Sequence, residues 1–290
     1  MESLVINKLS KSYRNVEALK SIDLNISPGV FGLLGPNGAG KSTLMRILAT
    51  LISADAGDIT FGNVSWNNPS KVRSMIGYLP QNFSIYRNMK VFEALDHLAM
   101  LKGMNKQKRK EQIATTLEQV NLLDCTQKKI KELSGGMVRR VGIAQAILGD
   151  PKIIIVDEPT AGLDPEERIR FRSILQSISS EKTIILSSHI VEDIEILCNQ
   201  IGILHKGRLL INGSLDVVKK VADGQVWSTE VDNETLLELS NNQIIISQIR
   251  EGDRFKVRVL SSKAPNENAF QVRPTIEDAY YLCMQESVSK

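Results

Sequence analysis

The chain has 290 residues, 42% hydrophobic and 24% charged, with a net charge of +3. That balance is ordinary for a soluble globular protein, and the length suits one large domain with an appendage or two unequal domains. Nucleic-acid binding usually needs a clustered basic face, so a net charge this small does not by itself imply it, and Cys125, Cys198 and Cys283 form neither a CxxC zinc pair nor a disulfide framework.

In chain order, LVINKLS, ALKSIDLNI and VFGLLG read as strands, with SPG from Ser27 as a turn. After GKST the pattern changes to LMRILATLI, whose apolar spacing is helical. DITFGNVSW and RSMIGYLPQ read as strands again. From Lys90 to about Asp124 the spacing predicts helices, and a helical subdomain is expected over about 83–150. The basic run KGMNKQKRK from Lys102 reads as a solvated loop or helix face. VRRVGIAQAILGDP places Val138, Val141, Ala144 and Leu148 on one helical face, stopped by Gly149 and Pro151. KIIIVDEP carries four β-branched residues in a row, as a strand buried on both faces of a parallel sheet would. TIILSSH repeats that pattern, and GILHKGRLLING reads as a hairpin turning at Lys206 and Gly207. Composition shifts near Lys220, so a domain of residues 1–220 and a small βαββα unit of residues 221–290 are expected. The opening MESLVINKLS lacks the apolar stretch of a secretion signal. No run reaches the ~18 apolar residues needed to cross a bilayer. A soluble chain is expected, with any membrane role coming through a partner.

The chemistry starts at GPNGAGKST, spanning Gly35, Pro36, Asn37, Gly38, Ala39, Gly40, Lys41, Ser42 and Thr43. Set between a strand and a helix, such a loop turns successive backbone N–H groups toward phosphate oxygens. Lys41 adds charge at the outer phosphates, and Ser42 offers a hydroxyl to Mg2+. Asp157 and Glu158 end an apolar strand and point to opposite sides of it. Asp157 is placed to hold the Mg2+ shell and Glu158 to polarise a water. His189 ends the next strand, either as a contact to the terminal phosphate and the water or as a helix-start histidine beside Ser187 and Ser188. ELSGGMVRR makes a second anion seat from Ser134, Gly135 and Gly136 at a helix start, without a lysine of its own.

GPNGAGKST, LPQ, LSGGM, IIIVDEPTAGLD and SSH, in that order and spacing, resemble the ATPase subunit of ATP-binding cassette transporters from Leu4 to about Lys220. The resemblance implies an α/β fold: a P-loop NTPase core with a mostly parallel sheet, an N-terminal antiparallel β subdomain, an inserted helical subdomain and a small α+β C-terminal domain. It implies ATP and Mg2+, with Gln81 touching the metal and the permease contact region, and Tyr13 stacking on adenine. Asp164 falls in a loop that crosses a dimer interface. In such a family two cassettes, alike or paired as a heterodimer, pack head to tail, so that Ser134, Gly135 and Gly136 serve the partner's ATP. Met137 stands where glutamine is usual. A separately encoded membrane permease is then the driven partner, docked on the helical insert between Phe83 and Leu123, at the cytoplasmic face of the membrane. RPTIEDAYYLCM resembles the end of subunits serving two-component exporters. Two alternatives are a soluble cassette ATPase acting on ribosomes or DNA and a nucleotide-switched module that does not hydrolyse. Glu158 and His189 argue against the second.

Overall fold

The computed structural model describes residues 2–179 and 182–288. The chain divides into two compact units between Leu209 and Leu210. In the first, β1 (Leu4–Tyr13) and β2 (Val16–Ile26) form an antiparallel hairpin closed by Arg14 and Asn15. β3 (Gly29–Leu34) leads through the phosphate loop into α1 (Lys41–Leu48). β4 (Ala56–Phe61) pairs with the other edge of β1, and β5 (Val64–Ser65) pairs with β4, giving a sheet of order β2-β1-β4-β5.

Next comes α2 (Pro69–Met75), followed by β6 (Ile76–Leu79). The strand expected over RSMIGYLPQ therefore starts late. Asn68 accepts a bond from the Lys71 amide, and Pro69 occupies the first turn, a start signal that outweighs three residues of strand-like pattern. The insert is helical as expected in α3 (Val91–Leu101), α4 (Lys106–Gln119) and α5 (Gly135–Ile147), packed around Leu95, Ala99, Ile113, Leu117 and Val141. Residues 82–89 are loop and turn rather than helix. The basic run is mostly solvated, with Arg109 turned back onto Asp96 at 2.7 Å.

β7 (Ile153–Asp157), α6 (Pro165–Ile178), β8 (Thr183–Ser188), α7 (Val191–Leu197), β9 (Gln200–His205) and β10 (Arg208–Ser214) complete the central sheet, of order β10-β9-β3-β8-β7-β6. Pairing from β9 through β3, β8 and β7 to β6 is parallel. Every residue of β7 and β8 is buried, which is why both read as unbroken apolar runs. Leu44, Met45 and Leu48 of α1 pack with Phe31, Ile153, Ile155 and Ile185 in one core. Each such side chain withdrawn from water contributes about 1.5–3 kcal/mol. This core seats the phosphate loop at the carboxyl ends of the parallel strands, where open α/β sheets place ligands.

The second unit begins earlier than the composition shift suggests. α8 (Leu215–Lys219) and the turn after it pack with the last helix of that unit, and Ala222 joins its core. β11 (Val226–Val231), α9 (Asn233–Asn242), β12 (Ile244–Glu251) and β13 (Arg254–Leu260) follow the expected strand-helix-strand-strand order. A short edge strand, β14 (Phe270–Gln271), was hidden in a polar stretch, and α10 (Ile276–Val288) closes the unit. Its sheet runs β12-β13-β11-β14. Among the described residues no helix is long and apolar enough to cross a membrane.

Candidate active site

The phosphate loop is held in shape by its own lysine. Lys41 is buried, and its Nζ donates to the carbonyls of Gly35 at 2.7 Å and Pro36 at 3.2 Å. Gly40 adopts φ +110°, and a Cβ there would lie 2.5 Å from the Ala18 carbonyl, so only glycine fits. The loop opens onto a cleft of about 770 Å3 lined by Asn37, Gly38, Ala39, Gly40, Lys41, Ser42, Thr43, Gln81 and Glu158. Gly35 and Pro36 stay behind the lining as the carbonyls that anchor Lys41.

Two adjacent carboxylates at the end of β7 take different partners, as their opposite orientation predicts. Ser187 on β8 sets both: its Oγ donates to Asp157 at 2.5 Å and accepts the Glu158 amide at 2.9 Å. Glu158 lies at φ +44°, a left-handed conformation costing a non-glycine residue about 1–3 kcal/mol. The cost aims its buried side chain into the cleft. There Oε1 lies 3.4 Å from Lys41 Nζ, while Oε2 accepts Gln81 Nε2 at 3.1 Å and lies 3.3 Å from His189 Nδ1. Lys41, Gln81 and His189 thus converge on one carboxylate. Nearby, burial and then the charge of Asp157 push the Tyr78 phenol up to about 12, so it stays neutral.

Asp157 and His189 adjoin the cleft without lining it, and the other expected residues also lie outside it. Tyr13 is exposed at the end of β1, under the Lys11 ammonium, and its hairpin partner Val16 lines the cleft instead. Ser134 and Gly135 are exposed, and the Ser134 hydroxyl caps α5 by accepting the Met137 amide at 3.2 Å. Asp164 is exposed and caps α6 through the Glu167 amide at 2.8 Å. These two helix starts meet, because a Cβ on Gly136 would lie 2.5 Å from the Glu167 carboxyl.

Sequence reasoning missed several lining residues: Asn15, Glu17, Lys20, Lys206 and Gly207. The hairpin turn read at Lys206 and Gly207 was the available signal. It reaches the cleft because the Gly207 amide bonds the Ala39 carbonyl at 2.9 Å while its own carbonyl accepts the Lys20 amide at 2.8 Å. Ser187, read only as a possible cap, is the bridge between the paired carboxylates.

The donor set suits a hard divalent cation sparingly. Among the described residues no group of three His, Cys, Asp or Glu side chains is placed to hold a metal. One buried carboxylate, Asp157, and the exposed hydroxyl of Ser42 are available. That fits Mg2+, which keeps several waters and takes phosphate oxygens beside one or two protein ligands.

Comparison with known proteins agrees with this geometry. Residues 19–161 match the family model described as ABC transporter. An uncharacterised ABC transporter ATP-binding protein of Synechocystis is 36% identical, over 96% of this chain and 84% of that protein. The lantibiotic transport ATP-binding protein SrtF of Streptococcus pyogenes is 34% identical, over 85% of this chain and all of that protein. Among solved structures, an ATP-binding subunit of an ABC transporter aligns with a TM-score of 0.68 at 27% identity, covering 75% of this chain and 92% of that one. A dimeric bacterial ABC transporter cassette aligns with a TM-score of 0.66 at 25% identity, covering 73% and 98%. The phosphate loop, the paired carboxylates at the strand end and these matches together place the chain in the family of ABC transporter ATP-binding proteins.

Proposed function

We propose that this chain hydrolyses ATP with Mg2+ to energise a membrane exporter, closing head to tail on a second cassette around two nucleotides. The observation that carries the reading is the convergence of Lys41, Gln81 and His189 on Glu158, at the edge of a cleft of about 770 Å3 that the phosphate loop lines. The backbone amides of residues 37–43 and Lys41 hold the phosphates. Asp157 and Ser42 would hold Mg2+, which neutralises charge on the phosphate oxygens when bound. Glu158 takes the proton of the attacking water, and Gln81 and His189 fix the aim of that carboxylate. Tyr13, beside Val16, supplies the ring against the base.

The anion seat at Ser134 takes no part in this cleft's lining and is open: a Cβ on Gly135 would meet nothing within 4 Å. A second cassette, identical or a close relative, gives that seat a phosphate to bind, with Asp164 alongside. ATP bound only in the closed form would stabilise it by about 2.7 kcal/mol at a hundredfold excess over Kd, and hydrolysis removes that term. The driven body is a separately encoded permease, docked on the insert between Phe83 and Leu123, which puts the chain on the cytoplasmic face of the membrane. Export is supported by relatives whose names are tied to lantibiotic transport and linearmycin resistance.

Ser134→Arg tests the shared site. Its bulk fills the seat and its side chain forfeits the cap to Met137, so ATP-dependent dimerisation is expected to weaken by at least ~100-fold, about 2.7 kcal/mol. ATP binding by the monomer should remain. Light scattering after size exclusion, with a slowly hydrolysed nucleotide, reads the outcome. Dimers forming as readily as in the wild type would remove the seat from the interface.

A further inference from the structure

Arg139 sits on α5 little more than one turn beyond Ser134, and the phosphate chemistry leaves it without a task. Its guanidinium nevertheless reaches the main chain of both loops that carry the convergent side chains. Nε donates to the Pro159 carbonyl at 2.9 Å, Nη2 to the Glu158 carbonyl at 2.7 Å and more weakly to that of Asp157 at 3.4 Å. Nη1 donates to the Gln81 carbonyl and, at 3.5 Å, to that of Pro80. All these acceptors are backbone oxygens. Among the described residues no carboxylate forms an ion pair with Arg139, and burial pulls the guanidinium below its ordinary value. The planar fork, with five donors in fixed directions, is the side chain that can bond the carbonyls of both loops.

We infer that Arg139 is a positioning residue, which ties the helix bearing the Ser-Gly-Gly seat to the backbone of Glu158 and Gln81 and so makes turnover depend on how that helix is held. Glu158 keeps its left-handed backbone between two restraints, the Ser187 hydroxyl on its amide and Arg139 on its carbonyl. The Gln81 carbonyl shares the same guanidinium, so the bond between the Gln81 and Glu158 side chains is set from behind by one cation. A movement of α5 when the seat takes up a phosphate is thereby transmitted to the group that activates water. Arg140, its neighbour, points elsewhere and pairs with Glu167 at 3.3 Å. The helix thus uses one arginine for packing and the other for alignment.

This inference rests on the ATPase reading above, and its test separates the two. ATP affinity and steady-state hydrolysis are measured on the full chain for the wild type, Arg139→Ala, Arg139→Lys and Glu158→Gln. Arg139→Ala is expected to keep ATP affinity within about twofold and to lose ~10–100-fold in kcat, the range that a misplaced catalytic group costs. Guanidinium ion, below concentrations that unfold the protein, should restore part of that loss in Arg139→Ala and none in Glu158→Gln. Arg139→Lys should fall between, keeping the charge without the fork. Full kcat in Arg139→Ala overturns the inference. So does a loss that guanidinium leaves unchanged and that ATP affinity follows in step, since that marks a packing role. If Arg139→Ala does not fold, wild-type kcat in Arg139→Lys overturns it, and a reduced kcat at unchanged affinity sustains it. A wild type with no turnover overturns the ATPase reading itself, and the inference with it.

Discussion

Glu158→Gln is expected to slow ATP turnover by about 10²–10⁴-fold while leaving nucleotide affinity unchanged. That range corresponds to about 3–5.5 kcal/mol of lost transition-state stabilisation. The substitution keeps the length and shape of the side chain, and its amide oxygen still accepts from Lys41, 3.4 Å away in the native protein. The amide nitrogen then faces the Gln81 nitrogen that donates to Glu158 at 3.1 Å, so Gln81 must turn its own amide over. What disappears is the capacity to take a proton. The phosphate loop, bonded through Lys41 to Gly35 and Pro36, is untouched, so binding should survive and ATP-dependent dimers should accumulate. Phosphate release and nucleotide titration, run side by side, decide the matter. Turnover at the native rate would strip Glu158 of its role.

In the second unit, Asp278→Ala is expected to cost about 2–4 kcal/mol, below the usual 3–5 for breaking a buried pair because Arg258 remains partly hydrated. Asp278 is fully buried and accepts four bonds: Arg258 Nε at 2.8 Å and Nη2 at 2.6 Å, the Thr275 amide at 2.6 Å and its hydroxyl at 2.7 Å. One carboxylate therefore fixes the start of α10 and joins it to β13. Alanine leaves a guanidinium and a helix cap without their acceptor. The chain has two tryptophans, Trp66 in the first unit and Trp227 in the second. In a Trp66→Phe background, fluorescence of Trp227 during urea unfolding reports the second unit of the full chain. An unmoved midpoint would mean that the pair contributes nothing.

The same residue sets a pH dependence. Burial alone would raise the Asp278 carboxyl, but the bonds from Arg258 and Thr275 outweigh it and hold the group below its ordinary value of 3.8. A carboxyl that ionises more readily when folded lends its full stability above that ordinary value and loses it as pH falls through the lower, folded one. The Trp227 midpoint should therefore hold steady at neutral pH and drop in strong acid, and the drop should shrink in Asp278→Ala.

Much of the site was legible because its residues sit at the ends of strands whose apolar runs announce themselves. Gly35 to Thr43, Asp157, Glu158 and His189 each follow such a run. The convergence of Lys41, Gln81 and His189 on one carboxylate follows from parallel pairing of β3, β8, β7 and β6, so the motifs and the topology agree. What stayed hidden depends on backbone meeting backbone. The turn at Lys206 and Gly207 could be read, but its place at the cleft rests on backbone bonds from the Gly207 amide to Ala39 and from the Lys20 amide to Gly207, which no side-chain pattern encodes. Arg139 lay inside a run read for helical packing, and its acceptors are carbonyls, identical at every position in a sequence. The same holds for α2, where three residues of alternation pointed one way and the Asn68-Pro69 start pointed the other. The boundary before α8 was masked because α8 and the turn after it pack with a helix more than fifty residues later, a relation composition does not carry.

Gly136 gives way to the Glu167 carboxylate, which lies where a side chain would stand and which also receives Arg140 and Arg170. The helix starts bearing Ser134 and Asp164 are consequently riveted through one acidic group into a single stiff lip. Any replacement at position 136, even alanine, would push the Glu167 carboxylate from this place and loosen the link between the two helix starts.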